Sequence, residues 1–104
     1  MEKVKLFSYG TLCMKDVQLR EFGQEFYVEP SSDYISGFEI VKQRIDGDFY
    51  NVAIPNKNAK PLEGYIVHIP ESIMSLVDEY EGEEYKRTTI KTLNGVNCIM
   101  YIKK

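Results

Sequence analysis

The sequence has a single histidine, His68, and only two cysteines, Cys13 and Cys98. A histidine-based catalytic triad or a zinc centre is poorly supplied by so few of these side chains. His68 falls in an alternating, strand-like run, where a packed or surface role is expected. The two cysteines lack metal-ligand spacing, so a reduced pair and a cytoplasmic setting are expected. Long apolar runs are missing too: none approaches the roughly 20 residues of a membrane span. No signal-peptide pattern precedes Val4, and no membrane partner is expected. Charge of one sign is not in excess either. The 13 basic and 16 acidic residues are intermixed for a net charge of -3, which leaves no electrostatic footprint for nucleic acid. No repeat, low-complexity stretch or composition break divides the 104 residues, so one domain spanning 1–104 is expected. A chain of that size can fold on one core without disulfides or metal.

What is present reads as many strands and two short helices. Val4, Leu6 and Phe7 with Lys3 and Lys5 interleaved form a strand pattern. After a turn at residues 9–12, Val17, Leu19 and Phe22 among polar residues predict a helix over 14–22 that ends near Gly23, with Asp16 as its cap. Residues 25–28 read as strand. Residues 34–45 read as one strand that Gly37 kinks or bulges. Asp46-Gly47 is a hairpin signal, returning through Phe49–Ile54. Residues 56–61 read as a polar loop, and Leu62–Ile69 as a central strand because its far half is apolar on both faces. Pro70 opens a second helix whose buried face is Ile73, Leu76, Val77 and Tyr80, closed by Gly82. A final hairpin turns at Asn94-Gly95, with Val96, Cys98, Met100 and Ile102 on one face of its second strand. So many strands with two short helices in so short a chain predict an α+β fold, a curved sheet closing into a small barrel.

Two stretches carry chemistry. Tyr9-Gly10-Thr11-Leu12 follows the first strand directly. Gly10 allows backbone angles closed to other residues, and a sharp turn there can aim successive N–H groups at one anion or carbonyl oxygen. The same residues also fit a strand that simply ends at a glycine. The second stretch is Asp78-Glu79-Tyr80-Glu81-Gly82-Glu83-Glu84. Glu81 lies four residues after Val77 and shares its apolar helix face. Partial burial, neighbouring carboxylates and the helix C-terminus all favour its protonated form, as a general acid/base working near neutrality requires. The pattern alone favours the plainer reading, a solvated acidic cluster with Glu81 as its most inward member. The spacing does not have the ligand order of an EF-hand, and no metal site is expected.

Taken together, Tyr9-Gly10-Thr11-Leu12 and Val77-Asp78-Glu79-Tyr80-Glu81-Gly82 followed by Tyr85-x-Arg87 resemble the gamma-glutamylcyclotransferase-like family, which includes the plant avirulence-induced and gamma-glutamylamine cyclotransferase branches. Pro61-Leu62-Glu63-Gly64-Tyr65 is similar to that family's Gly-x-hydrophobic strand ahead of the helix, so the likeness runs nearly end to end. The resemblance implies a small mixed β-barrel with two or three short flanking helices, in which the first turn and the helix-end glutamate meet in one cavity. It implies Glu81 as catalytic acid/base and Tyr9, Gly10, Thr11 and Leu12 as the substrate-gripping turn. The implied reaction is attack by the α-amine of a γ-glutamyl amide on its own γ-carbonyl, releasing 5-oxoproline and an amine or amino acid. No metal, nucleotide or prosthetic group is required.

Arg87 and Tyr50 are further candidates for contact with a γ-glutamyl substrate, with Asn51 beside them. For Arg87, a salt bridge to Asp78, Glu83 or Glu84 competes with that role. Many relatives follow the first turn with an arginine and another glycine, where this chain reads Cys13-Met14-Lys15-Asp16. That departure, together with the end at Lys104 soon after the last strand, leads to the expectation of an open pocket. A monomer or weak homodimer is expected. Two alternatives remain: a non-catalytic module that binds a small carboxylate or amide on the same barrel, and an interaction scaffold with Glu81 as an ordinary surface acid.

Overall fold

The structure is a computed structural model that describes residues 2–104. In chain order the strands are β1 (Lys3–Ser8), β2 (Tyr27–Val28), β3 (Asp33–Ile35), β4 (Phe38–Ile45), β5 (Asp48–Pro55), β6 (Leu62–Pro70), β7 (Tyr85–Lys91) and β8 (Asn97–Lys103). A 3₁₀ turn (Thr11–Cys13) and helix α1 (Lys15–Phe22) follow β1, and a 3₁₀ turn (Glu71–Ile73) leads into helix α2 (Met74–Glu81). The main sheet runs β2-β6-β1-β8-β7, with β3 also paired to β6. β1 pairs in parallel with β8, and the other pairings are antiparallel.

The α+β class matches the expectation, but the strands do not close into a continuous barrel. β4 and β5 pair only with each other, as a separate two-stranded sheet. The reason lies at Gly37, whose φ of +89° is a left-handed conformation that glycine adopts without steric cost. It breaks the expected 34–45 strand in two. β3 stays on β6, while β4 departs into the hairpin. Asp46 and Gly47 both have positive φ at the hairpin turn, as a two-residue type I′ turn requires.

Alternation along the central strands sorts their side chains onto two cores. Leu6, Val67, Ile69 and Tyr101 pack on one face of the sheet with Leu12, Phe26 and the α2 residues Met74 and Val77. Phe7, Ile66, Cys98, Met100 and Ile102 pack on the other with Ile35 and Ala53. β6 and β8 are therefore covered on both faces, which is why β6 reads as apolar on both sides. The helices form one outer layer, and β3 with the β4–β5 hairpin forms the other.

Three local expectations change. α1 has Met14 at its N-cap with no side-chain cap bond, and Asp16 sits in its first turn instead. On the same helix, Gln18 is fully buried while Leu19 is half exposed. On α2, Leu76 is half exposed and Met74 takes its place in the core. The opening 3₁₀ turn shifts where the α-helical register begins, and at 3.6 residues per turn a one-residue offset rotates a side chain by about 100°.

Candidate active site

β1 emerges from between the two cores with Leu6, Phe7 and Ser8 all buried, and releases the chain at Tyr9. The exit is set by Gly64 on the neighbouring strand. A Cβ there would lie 2.5 Å from the Phe7 ring and 2.6 Å from the Ser8 carbonyl oxygen, so only glycine lets β1 pass at this depth. Gly10 differs from expectation. Its φ is -125°, outside the left-handed region, and a Cβ would meet nothing within 4 Å. What the absent side chain leaves is open space where Gly10 borders the cavity described below.

The first turn is held from two sides. The Tyr9 hydroxyl donates to the Tyr101 carbonyl at 2.7 Å. Burial, and then the nearby Glu81 carboxyl, raise the Tyr9 pKa, so the phenol keeps its proton. The buried Gln18 amide donates to the Leu12 carbonyl at 2.8 Å and accepts from the Phe26 N–H at 2.8 Å. Thr11 Oγ1 lies 3.3 Å from the Tyr80 hydroxyl, which links the turn to α2.

α2 ends at Glu81, and Gly82 follows with φ +93° and ψ 174°, a region essentially reserved for glycine. Here the chain turns abruptly toward β7. Glu81 is half-buried, and burial pushes its carboxyl up to about 7 from an ordinary 4.5. Of the three causes expected from the sequence, burial is the one that acts; Glu79, Glu83 and Glu84 are exposed. The Tyr85 hydroxyl pKa is raised as well, by burial and then by Glu81.

These elements enclose a cavity of about 730 Å³. Tyr9, Gly10, Thr11, Leu12, Tyr50, Asn51 and Glu81 all line it. Arg87 does not. Its guanidinium forks onto Asp78, Nε to Oδ1 at 2.7 Å and Nη2 to Oδ2 at 2.5 Å, and borders an adjoining, more open groove outside the cavity. The competing salt bridge is thus the contact Arg87 makes. Sequence reasoning missed Ile45, Asp46 and Phe49 of the hairpin tip, together with Tyr80 and Tyr101. The signal available was the Asp-Gly turn, which brings the hairpin's end residues together but not to any particular site. His68 lies elsewhere, 2.7 Å from Glu29 and against the Tyr27 ring. Among the described residues, no group of three His, Cys, Asp or Glu side chains is placed to hold a metal ion, and no helix is long and apolar enough to cross a membrane.

Solved structures share this architecture. One Arabidopsis thaliana protein aligns at a TM-score of 0.79 with 20% identity, over 99% of this chain and 70% of its own. A second protein from that plant aligns at 0.77 with 16% identity, over 99% and 63%. A protein named gamma-glutamyl cyclotransferase aligns at 0.76 with 16% identity, over 99% and 68%. The chain therefore spans about two thirds of the length of these structures, and at such identities the likeness is one of fold. Among curated proteins, none matches the chain. The family model described as gamma-glutamyl cyclotransferase, AIG2-like, matches residues 6–104, so the chain belongs to that family.

Proposed function

We propose that the protein is a γ-glutamyl cyclotransferase that converts a γ-glutamyl amide to 5-oxoproline and a free amine or amino acid, with Glu81 as its acid/base. The observation that carries the reading is the pairing, in one cavity, of a carboxyl held near 7 with the turn at residues 9–12. The reaction needs little else, because nucleophile and electrophile belong to one molecule and the cavity has only to fold them into contact. Ionised Glu81 takes a proton from the substrate α-ammonium. The freed amine attacks the γ-carbonyl carbon, the new C–N bond closes a five-membered ring, and the carbonyl oxygen gains negative charge. Glu81 then returns its proton to the leaving nitrogen as the original amide bond breaks, and the extra proton left on the ring nitrogen passes through Glu81 to the released amine, which departs as an ammonium. The backbone N–H groups of Gly10, Thr11 and Leu12 are unclaimed by the β1 ladder or by the 3₁₀ turn that they open. They serve the substrate carboxylate or the developing oxyanion, at up to about 3 kcal/mol per donor. Tyr9, Tyr50 and Asn51 line the walls around the substrate.

The test is a panel of γ-glutamyl amides, amines and amino acids scored by mass spectrometry for 5-oxoproline. Release from at least one member is expected, with kcat/KM rising through about pH 7 as Glu81 ionises. Glu81→Gln should lower kcat by about 10²- to 10⁴-fold with an unchanged circular dichroism spectrum. If the panel yields no product while a member binds tightly, the chain is a binding module instead.

A further inference from the structure

Glu81 makes no side-chain hydrogen bond or ion pair among the described residues, and burial is what shifts its carboxyl. Its position is therefore set by where the last turn of α2 sits. Tyr80 ties that turn to Thr11 and Phe22, and the turn's ties to the β7–β8 edge converge on Asp78, three positions before Glu81. Asp78 Oδ1 accepts from Arg87 Nε at 2.7 Å and from the Tyr101 hydroxyl at 2.5 Å, while Oδ2 accepts from Arg87 Nη2 at 2.5 Å. Arg87 Nη2 also lies 3.4 Å from the Met74 carbonyl, one turn earlier on the same helix. The Asp78 carbonyl in turn accepts the Gly82 N–H at 3.0 Å, closing the helix over Glu81.

Arg87 and Tyr101 are direct cross-strand partners on β7 and β8, so their side chains leave the sheet together and converge on Asp78. Tyr101 is engaged at both ends: its hydroxyl grips α2, and its carbonyl accepts the Tyr9 hydroxyl. It is thus a strut joining the helix that carries the acid to the turn that faces it. With Gly82, Glu83 and Tyr85, it borders both the cavity and the outer groove. Arg87 and Asp78 are each about two fifths exposed, and an exposed ion pair adds little to stability. A bidentate fork does fix geometry.

We propose that Asp78, Arg87 and Tyr101 are positioning residues, which lock the end of α2 to the β7–β8 edge and so hold the Glu81 carboxyl in the cavity it shares with residues 9–12. The catalytic consequence rests on the function proposed above; the placement of the carboxyl does not. If the lock opens, water reaches Glu81 and its proton affinity falls toward that of an ordinary carboxyl. The other titratable groups lining the cavity are Tyr9, Asp46, Tyr50, Tyr80, Tyr85, Tyr101, and Glu83 with Glu84. Substituting Arg87 or the Tyr101 hydroxyl also leaves Asp78 less neutralised one turn before Glu81, which by itself raises the Glu81 midpoint, so a fall reports the entry of water.

The experiment compares Tyr101→Phe, which keeps the ring and the backbone carbonyl, with Arg87→Ala and Arg87→Lys. Carbon-13 NMR follows the Glu81 carboxyl, identified by its disappearance in Glu81→Gln. In Tyr101→Phe and Arg87→Ala, its midpoint should fall below the wild-type value by about tenfold or more in proton affinity. With a turned-over γ-glutamyl amide, kcat should drop about 10- to 100-fold while KM changes little. Arg87→Lys, which keeps the charge but not the fork, should fall between wild type and Arg87→Ala. An unchanged Glu81 midpoint in both Tyr101→Phe and Arg87→Ala overturns the proposal, even if thermal stability drops. A shifted midpoint in a protein that turns over no panel member supports the lock and removes the catalytic reading alone.

Discussion

The wall of the cavity built from β1, the first turn and the end of α2 is densely cross-tied, whereas the tip of the β4–β5 hairpin that forms the other wall is more exposed. On the first, Tyr9 bonds to Tyr101, Gln18 spans Leu12 and Phe26, and Asp78 is gripped by Arg87 and Tyr101. The hairpin is rooted in the core through the fully buried Val52 and Ala53, but its tip presents Phe49 at 65% exposure and Tyr50 at 48%. Among the described residues, it meets the main sheet across the cavity through the Tyr85 hydroxyl, 3.5 Å from the Asn51 carbonyl, and through the Ala53 backbone beside the Tyr9 phenol. The contrast assigns different tasks to the two walls. On the function proposed above, the groups that must meet within hydrogen-bond tolerance sit on the cross-tied wall, and the exposed aromatic side chains Phe49 and Tyr50 sit on the other.

Substitutions on the two walls should therefore differ in kind. The strongest effect on stability is expected for Gly64→Ala, which drives a methyl group into the Phe7 ring and the Ser8 carbonyl. Because one of those obstacles is backbone, the cost should reach about 3 kcal/mol or more, and the first turn should shift with β1. Urea denaturation would measure it, and a near-neutral result would show that β1 does not anchor this wall.

Next in size is an effect of opposite sign. Glu81 binds its proton more tightly in the folded state than an ordinary carboxyl, so its stabilising contribution is complete below about pH 4.5 and disappears as pH rises through about 7. Above that, the ionised carboxylate costs the fold up to about 3 kcal/mol. Glu81→Gln should therefore be more stable than wild type at pH 8, with the difference vanishing below pH 4.5. Paired melting curves at the two pH values would check this. Equal stability at pH 8 would place Glu81 in a wetter setting than the cavity provides.

The smallest stability effect is expected at the hairpin tip. Phe49→Ala removes a mostly exposed ring and should change stability by less than about 0.5 kcal/mol. Its consequence belongs in binding: KM for γ-glutamyl amides with bulky amine portions should rise more than KM for small ones. A large loss of stability instead would mean that the tip is as firmly held as the opposite wall.

Much of this was legible in local pattern. Alternation gave away β1, β6 and β8, the Asp-Gly and Asn-Gly pairs marked both hairpins, and Glu81 falls on the apolar face of α2 because its spacing from Val77 leaves no other place for it. Gln18 was not legible. A polar residue on an amphipathic helix reads as solvent-facing, and only the arrival of the Leu12 carbonyl and the Phe26 N–H makes its burial favourable. Arg87 was legible as one of two roles, and the distance to Asp78 chose between them.

Local order along this chain follows from neighbours a few residues apart, whose periodicity and turn chemistry are written in composition and spacing. The cavity does not follow in that way. It exists because Gly37 sends β4 away from the sheet, because β1 lies parallel to β8, and because Arg87 and Tyr101 face one another across a register set far along the chain. Each is a contact between distant residues, favoured only once the remaining strands have packed. That is why Glu81 reads as one acid among several until the fold removes water from around it and leaves it near the turn after Tyr9.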